Sequence, residues 1–459
     1  MAAPLLPPPA GRVIAAISIR MRVSAPVAAA RSFVLGNVSK DFHPKTSSSK
    51  QAVCRAMAMA GTTVREYGAY APQEEEVVAH AMSLDSALGL EGGLRLVPQA
   101  GEGKGRGLLA SKAFEQGFVV FKDDPIAALQ QNKDECWACE RCLRVMGSAS
   151  DRESWLARRS DSGEAGGSGS SSSKPDRAPR PVPCRGGCAE LYCSEACESH
   201  AWGAYHRLIC PAGGEIVGDP MQSAAYWMRE FNEHADETND IFRLAARVYA
   251  MVVASVVSKG GDAEADGSLL SLHLRSVRHA WKLPWWEQVA LPHDVDDETE
   301  FRAQLKDLAK DSFDLLSGAL RLRLPPSVEE SGLLDGGFDL YGRLVGMFEL
   351  NNLEIFHSAE AELGPVEGTA FYPLHSCMNH SCDPNVVMMF CDDDDEEGAN
   401  GDPEAESYRC YAYATRDIGE GEEVTCSYLD QDQLQLSTEE RQDLLRDYGF
   451  RCRCKRCGE

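Results

Sequence analysis

No apolar run in the 459-residue chain is long enough to span a bilayer, so a transmembrane helix is excluded, and no secretory signal opens it. Basic residues are also scarce. Forty-six Lys and Arg face seventy-one Asp and Glu, and the net charge of −25 argues against direct nucleic-acid binding. That charge is compatible with a basic partner such as a cationic peptide tail. Acidic residues are nearly missing from residues 1 to 60, where Asp41 stands alone among Ala, Ser, Pro and Arg. This is the composition of an organelle transit peptide or of a disordered tail, and residues 1–78 carry no chemistry that can be named.

What the chain has in excess is cysteine. Its seventeen Cys are concentrated between Cys136 and Cys210 and between Cys377 and Cys457, in short-range sets interleaved with a His. Such spacing suits metal ligands in a reducing compartment; a secreted disulfide framework is the competing reading, with no signal to support it. Cys139-x2-Cys142, Cys184-x3-Cys188, Cys193-x3-Cys197 and His206-x3-Cys210 supply four ligand pairs, enough for two tetrahedral zinc ions. Cys136 is left over, and its spacing to Cys139 lets it replace Cys142. Within this module the Ser/Gly/Pro-rich tract, about residues 147–183, reads as a flexible insertion, which a metal-clipped fold tolerates because loop closure costs little extra with length.

A second concentration is polar. Asn379-His380-Ser381-Cys382-Asp383-Pro384-Asn385 packs amides, an imidazole, a carboxylate and a thiol between apolar Phe371, Leu374 and Val386 to Met389. Buried polar groups cost stability unless each is satisfied, so this heptad reads as the wall of a ligand pocket. Order is expected from about Ala79. Leu94 to Val97 has a strand's pattern before the Gly-rich turn Gly101 to Gly107, and Leu108–Ala110 with Phe118–Phe121 reads as a β-hairpin across Glu115-Gln-Gly117. Glycines there let backbone amides approach a ligand, while Lys104 and Arg106 offer charge to a carboxylate.

Residues 220–357 read as mainly helical, with amphipathic stretches Ala224–Val257, Glu298–Leu320 and Phe338–Phe356, and with Trp281, Trp285 and Trp286 packing the helices together. Asn351 and Asn352 fall near the end of the last helix. After an acidic tract, Asp392 to Glu397, which reads as a solvated loop, Tyr408–Ala414 and Val424–Tyr428 read as strands.

The half from Cys193 to Cys210, with Trp202 between, resembles a MYND zinc finger. The resemblance implies interleaved ligands: Cys139, Cys142, Cys193 and Cys197 on one ion, Cys184, Cys188, His206 and Cys210 on the other. MYND modules bind proline-rich peptides and other proteins. Asn379 to Asn385 followed by Gly421-Glu-Glu-Val-Thr-Cys-Ser-Tyr428 is similar to the two signature segments of the SET domain, and Gly105-Arg106-Gly107 to its N-terminal AdoMet loop. Tyr448-Gly-Phe-Arg-Cys-Arg-Cys-Lys-Arg-Cys457 looks like its post-SET zinc segment, whose Cys452, Cys454 and Cys457 would share a third zinc with Cys382. Cys54, Cys136, Cys377, Cys391, Cys410 and Cys426 are then assigned no metal and are expected to be buried thiols.

The combination resembles the SMYD family of protein-lysine methyltransferases, over roughly residues 90–459. The chain stops two residues after Cys457, and in this it looks more like the plant trithorax-related SET and MYND proteins than like animal members with a C-terminal helical-repeat domain. The implied fold is α+β: small SET sheets with a knot-like C-terminal threading, split by a MYND finger and a helical insert. The implied domains are a SET N-terminal part at 79–135, the finger at 136–210, the insert at 211–360, the SET catalytic part at 361–431 with an acidic loop at about 392–407, and a post-SET zinc segment at 432–459.

The implied activity is methyl transfer from S-adenosyl-L-methionine to a lysine amine of a protein, histone tails included. Tyr428 is the expected catalytic tyrosine and Tyr448 lines the lysine channel. Lys104, Gly105, Arg106, Gly107, Asn351, Asn379, His380, Tyr428 and Phe450 are expected to bind the cofactor, with Phe450 stacked on its adenine. A monomer of the nucleus or cytoplasm is expected, or of chloroplast or mitochondrion if residues 1–60 are a transit peptide. The competing function is a protein-binding scaffold that works through the finger; a third is methylation of a non-histone protein in an organelle.

Overall fold

The computed structural model describes residues 93–97, 99–101, 104–147, 180–213, 219–258, 283–292, 295–325, 334, 336–358, 365–390 and 409–458. The N-terminal region 1–78, most of the expected insertion, the acidic loop at 392–407, Trp281, Cys54 and Cys391 lie outside the described residues.

Three small sheets carry the site. In the first, β1 (Leu94–Val97) and β2 (Gly107–Ala110) are antiparallel across the Gly-rich turn, β12 (Glu423–Cys426) pairs antiparallel with β2, and β9 (Asn379–His380) pairs parallel with β12. The second has the order β10 (Val386–Phe390), β11 (Cys410–Ala414), β3 (Val119–Asp123), all antiparallel. The third has the order β4 (Ala127–Gln130), β8 (Pro365–Phe371), β7 (Asn352–Ser358). A ribbon, β5 (Val182–Pro183) with β6 (Leu191–Tyr192), lies among the Cys pairs. Leu94 and Leu96 face the core while Arg95 faces out, as a period of two requires.

Two expectations about strands are corrected. Leu108–Ala110 and Phe118–Phe121 do not form a hairpin: β2 lies between β1 and β12, whereas β3 begins at Val119, joins β11 in another sheet and leaves Phe118 exposed. Both edges of β2 are taken, one by β1 across the Gly-rich turn and the other by β12, which leaves none for β3. The last helix ends at Asn351; Asn352 onward is strand, because buried Leu353 and Ile355 alternate with outward Glu354 and Phe356. The end of the expected insertion is also ordered, since Val182 and Pro183 are β5.

The helices are α1 (Glu195–Ala201), continued by a wide turn at Trp202–His206 and by Arg207–Ile209, then α2 (Ala224–Glu237), α3 (Ile241–Ser258), α4 (Trp285–Gln288), α5 (Glu298–Arg323) and α6 (Phe338–Asn351), followed near the end by α7 (Gln431–Leu434) and α8 (Thr438–Leu445). The stretch expected as one helix from Ala224 to Val257 is two, because the Asn239 side chain accepts from the Ile241 amide and starts a new helix. Asp297 caps α5 through the amides of Thr299 and Glu300, and Arg321 and Arg323 complement its C-terminal dipole. Trp285 and Trp286 are buried, Trp286 stacking on Phe338 with centroids 4.9 Å apart, as the packing reading expects.

Two large cores result. One joins these helices to the Cys139–Cys210 segment, and the other fills the sheets. Arg247 of α3 crosses from the helices to the Cys-rich segment: it pairs with the buried Glu140, donates to the Ala128 carbonyl of β4, and lies 5.0 Å over the Tyr205 ring. Burial alone would raise the Glu140 carboxyl, but Arg247 holds it below the usual range, and Tyr205 Oη donates to it at 2.8 Å. Among the described residues, no helix is long and apolar enough to cross a membrane.

Candidate functional site

The seam between β9 and β12 is the floor of a cleft of about 910 Å³. Parallel pairing sets Asn379 beside Thr425 and His380 beside Cys426, which brings the heptad next to the last strand before Tyr428. Asn385 holds that register. Only 1 % exposed, it donates to the Glu423 carbonyl at 2.8 Å and accepts from the Thr425 amide at 2.8 Å.

His380 accepts from the Tyr428 amide through Nδ1 at 2.9 Å, so its Nε2 carries the proton and lies 3.3 Å from Cys382 Sγ. Burial, with the charge of Arg441, lowers its pKa to about 3, which keeps the ring neutral. Tyr428 Oη donates to the Met378 carbonyl at 2.6 Å, and burial pushes its phenol well above the ordinary range. Tyr448 lies 5.0 Å from the Tyr428 ring, and Phe450 lies 6.0 Å from His380 and 6.1 Å from Tyr428.

The Gly-rich turn forms the opposite lip. Arg106 donates to the Ser376 carbonyl at 2.9 Å, and Asn379 Nδ2 donates both to the Arg106 carbonyl at 2.9 Å and to Glu423 Oε1 at 2.7 Å. Lys104 pairs with the other oxygen of Glu423. A side chain at Gly107 would meet Ala100 Cβ at 2.5 Å and Asn379 Nδ2 at 2.9 Å, whereas Gly105 has open space before it. Asn351 lines the cleft with its amide bonded to Met347 of its own helix at 2.8 Å.

The structure thus brings Lys104, Gly105, Arg106, Asn351, Asn379, His380, Tyr428, Tyr448 and Phe450 around one cleft, with Gly107 under its lip. Asn385 closes the heptad read as a pocket wall, and its part is to hold the register of β12; Glu423 was given no role of its own, although a carboxylate two residues after the Gly421 turn, with a Lys in the other Gly-rich turn, was a signal for it.

Three groups of side chains gather their ligand atoms within 4.8 Å: Cys139, Cys142, Cys193 and Cys197; Cys184, Cys188, His206 and Cys210; and Cys382, Cys452, Cys454 and Cys457. Cys142, not Cys136, therefore completes the first. Tetrahedral zinc with Zn–S near 2.3 Å needs sulfurs about 3.8 Å apart. Cys142–Cys193 is 3.6 Å, Cys142–Cys197 3.9 Å, Cys184–Cys210 3.9 Å, Cys382–Cys457 3.6 Å and Cys382–Cys452 3.9 Å, so the donor sets fit the ion and are too open for disulfides. Cys136, Cys377, Cys410 and Cys426 are buried outside these sets.

The SET domain family matches residues 105–429. Histone-lysine N-methyltransferase ATXR2 of Arabidopsis thaliana is 32% identical over 443 residues, covering 77% of this chain and 88% of that protein. Protein-lysine N-trimethyltransferase SMYD5 of Mus musculus is 25% identical over 401 residues, covering 77% and 84%. Histone-lysine N-methyltransferase SMYD3 of Homo sapiens is 34% identical over a shorter 131 residues, 28% of this chain and 25% of that protein.

Proposed function

Because the chain belongs to the SET-domain family of protein-lysine methyltransferases, we propose that its cleft takes S-adenosyl-L-methionine and a substrate lysine side by side and methylates the lysine amine. The observation that carries this is the convergence of Tyr428, His380, Asn379 and Phe450 on one cleft, with Tyr428 Oη fixed on a backbone carbonyl. When bound, the cofactor supplies an activated methyl group.

The protein's residues bind and orient. Lys104 and Arg106 offer charge to a carboxylate at the Gly-rich lip, Asn351, Asn379 and His380 line the same cleft, and Phe450 presents an aromatic face for adenine. A lysine amine must be neutral to react, and reaching that state at pH 7 from a pKa of ~10.4 costs about 4 to 5 kcal/mol without help. Burial lowers this cost, and a carboxylate at the amine would raise it. Two of the carboxylates that line the cleft are already engaged: Glu423 by Lys104 and Asn379, and Glu422 by Arg416. Tyr428 and the Met378 carbonyl leave the amine to hydrogen bonds that direct its lone pair, while Tyr448 walls the lysine channel.

The same reading assigns three zinc ions to the three ligand sets, the first two in a MYND finger able to hold proline-rich partners, the third in a post-SET segment that threads knot-like beside β9. It extends to the domain limits given above, to histone lysine as the first substrate to try, and to a nuclear or cytoplasmic monomer. Transfer of labelled methyl groups to histones and to cell extract, with the modified lysine located by mass spectrometry, tests it. Tyr428→Phe should lower the rate by roughly 100-fold or more, and equal labelling by the variant would overturn the role given to Tyr428.

A further inference from the structure

Two arginines among the described residues are almost fully covered. Arg247, 6 % exposed, meets the carboxylate of Glu140. Arg441 of α8, 3 % exposed, meets no carboxylate among the described residues: its guanidinium donates to the Leu436 carbonyl, to Thr438 Oγ1 at 3.3 Å and to Cys457 Sγ at 3.7 Å. A covered charge costs stability unless an opposite charge answers it. The carbonyl and the hydroxyl supply hydrogen bonds but no net charge, so compensation falls to the sulfur. A thiol carries no charge; a thiolate does, and the thiolate is the form that a metal binds.

Gln442, next on the helix, holds a second member of the same set by its backbone. Its Nε2 donates to the Cys452 carbonyl at 2.7 Å and its Oε1 accepts from the Cys452 amide at 2.8 Å. Arg456 donates to the Cys382 carbonyl at 3.2 Å. The first turn of α8 is capped reciprocally by Ser437 and Glu440, which fixes where Arg441 and Gln442 stand. Phe450, which lines the cleft, lies two residues before Cys452.

We propose that Arg441 is the counter-charge of the Cys382, Cys452, Cys454 and Cys457 set, a positioning residue that keeps the thiolates on their ion and through them keeps Phe450 at the cleft. This rests on the third zinc of the reading above and names the residue outside the ligand set that makes it hold. Four thiolates carry twice the charge of Zn2+, so the loaded set is anionic as a whole, and a guanidinium beside Cys457 offsets part of that excess. The competing role is a purely structural one, in which Arg441 ties the start of α8 through Leu436 and Thr438. That role predicts no change at the metal.

The test uses the full, zinc-loaded chain and needs no turnover. Zinc is withdrawn with a competing chelator while the ions left per chain are counted. Arg441→Met keeps the bulk and removes the charge; it should give up one ion at roughly 10- to 100-fold less chelator than the wild type, with the other ions unmoved. Arg441→Lys, which keeps the charge, should lie between the two. In Cys382→Ser, which already lacks that ion, Arg441→Met should release nothing further. With Co2+ in place of zinc, the thiolate-to-metal charge-transfer band should shift in Arg441→Met. AdoMet affinity of that variant should fall at limiting zinc and return at saturating zinc. Unmoved release in both Arg441 variants, equal weakening of every ion, or an AdoMet defect that saturating zinc does not cure overturns the proposal. A wild-type chain that holds only two ions overturns the zinc reading beneath it. Three ions with the expected release, but no AdoMet binding by the wild type, would uphold the role of Arg441 at the metal and overturn the methyltransferase reading instead.

Discussion

The thiols between Cys139 and Cys210 belong to the large core that the helices share, whereas the four around Cys382 close a small core whose buried members are Cys382, Leu429, Leu445 and Cys452. Each set suits a tetrahedral ion, but the surroundings give that ion different tasks. In the first region the thiols pack into the core the helices build, tied to it by the Arg247–Glu140 pair, and the cleft lies elsewhere. In the second, the buried core is small, and Tyr448 and Phe450, which line the cleft, stand directly before the ligands Cys452 and Cys454. A metal in the first region therefore supports the fold, and a metal in the second supports the site.

The sharpest way to break this contrast is to remove one ligand from each. Zinc supplies on the order of 10 kcal/mol to small metal-dependent modules. Cys193→Ser should lose one ion per chain by metal analysis and melt its segment, with AdoMet affinity of the folded fraction unchanged. Cys382→Ser should also lose one ion, but weaken AdoMet binding more than ~10-fold while α2 to α6 stay folded. Identical behaviour of the two variants would erase the distinction.

The anchor of the first region comes next. Glu140→Ala leaves Arg247 buried and uncompensated and should lower unfolding free energy by about 3–5 kcal/mol in denaturant titrations. Glu140→Gln combined with Arg247→Met should cost much less, and neither should alter AdoMet affinity.

His375 probes the ground beneath the cleft. It is fully buried beside Cys426, and burial lowers its pKa from 6.5 to about 4. The unfolded chain therefore takes up the proton first, so its contribution is complete above pH 6.5 and is lost as pH falls toward 4, by roughly 3 kcal/mol. The wild-type loss minus the His375→Gln loss, measured in denaturant across that range, should show this slope; parallel curves would contradict it. The smallest effect expected is Phe450→Leu, which removes an aromatic face and should weaken AdoMet by about fivefold with full zinc content.

Much of the site was legible because its chemistry is local in sequence. Ligand spacing marked the sets before Cys210, and the Asn379 heptad and Tyr428 stand in short polar segments that a core would reject. The alternative between Cys136 and Cys142 was not decidable, since both stand three residues from Cys139 and only the fold turns Cys136 away. Strand partners were less legible. Turns on either side of β2 both permit a hairpin, and the choice is made by β12, which comes some three hundred residues later. At Asn351–Asn352 an apolar stretch passes from helix to strand without a breaker, so its period alone marks the change. Glu140 and Arg247 read as ordinary surface charges until the two regions are packed together.

Calorimetric titration of S-adenosyl-L-methionine into the purified, zinc-loaded chain tests the central claim most directly. Saturable heat with one cofactor per chain, abolished or strongly weakened in Cys382→Ser, is the predicted result; no binding heat from a chain with full zinc content would contradict the assignment of the cleft.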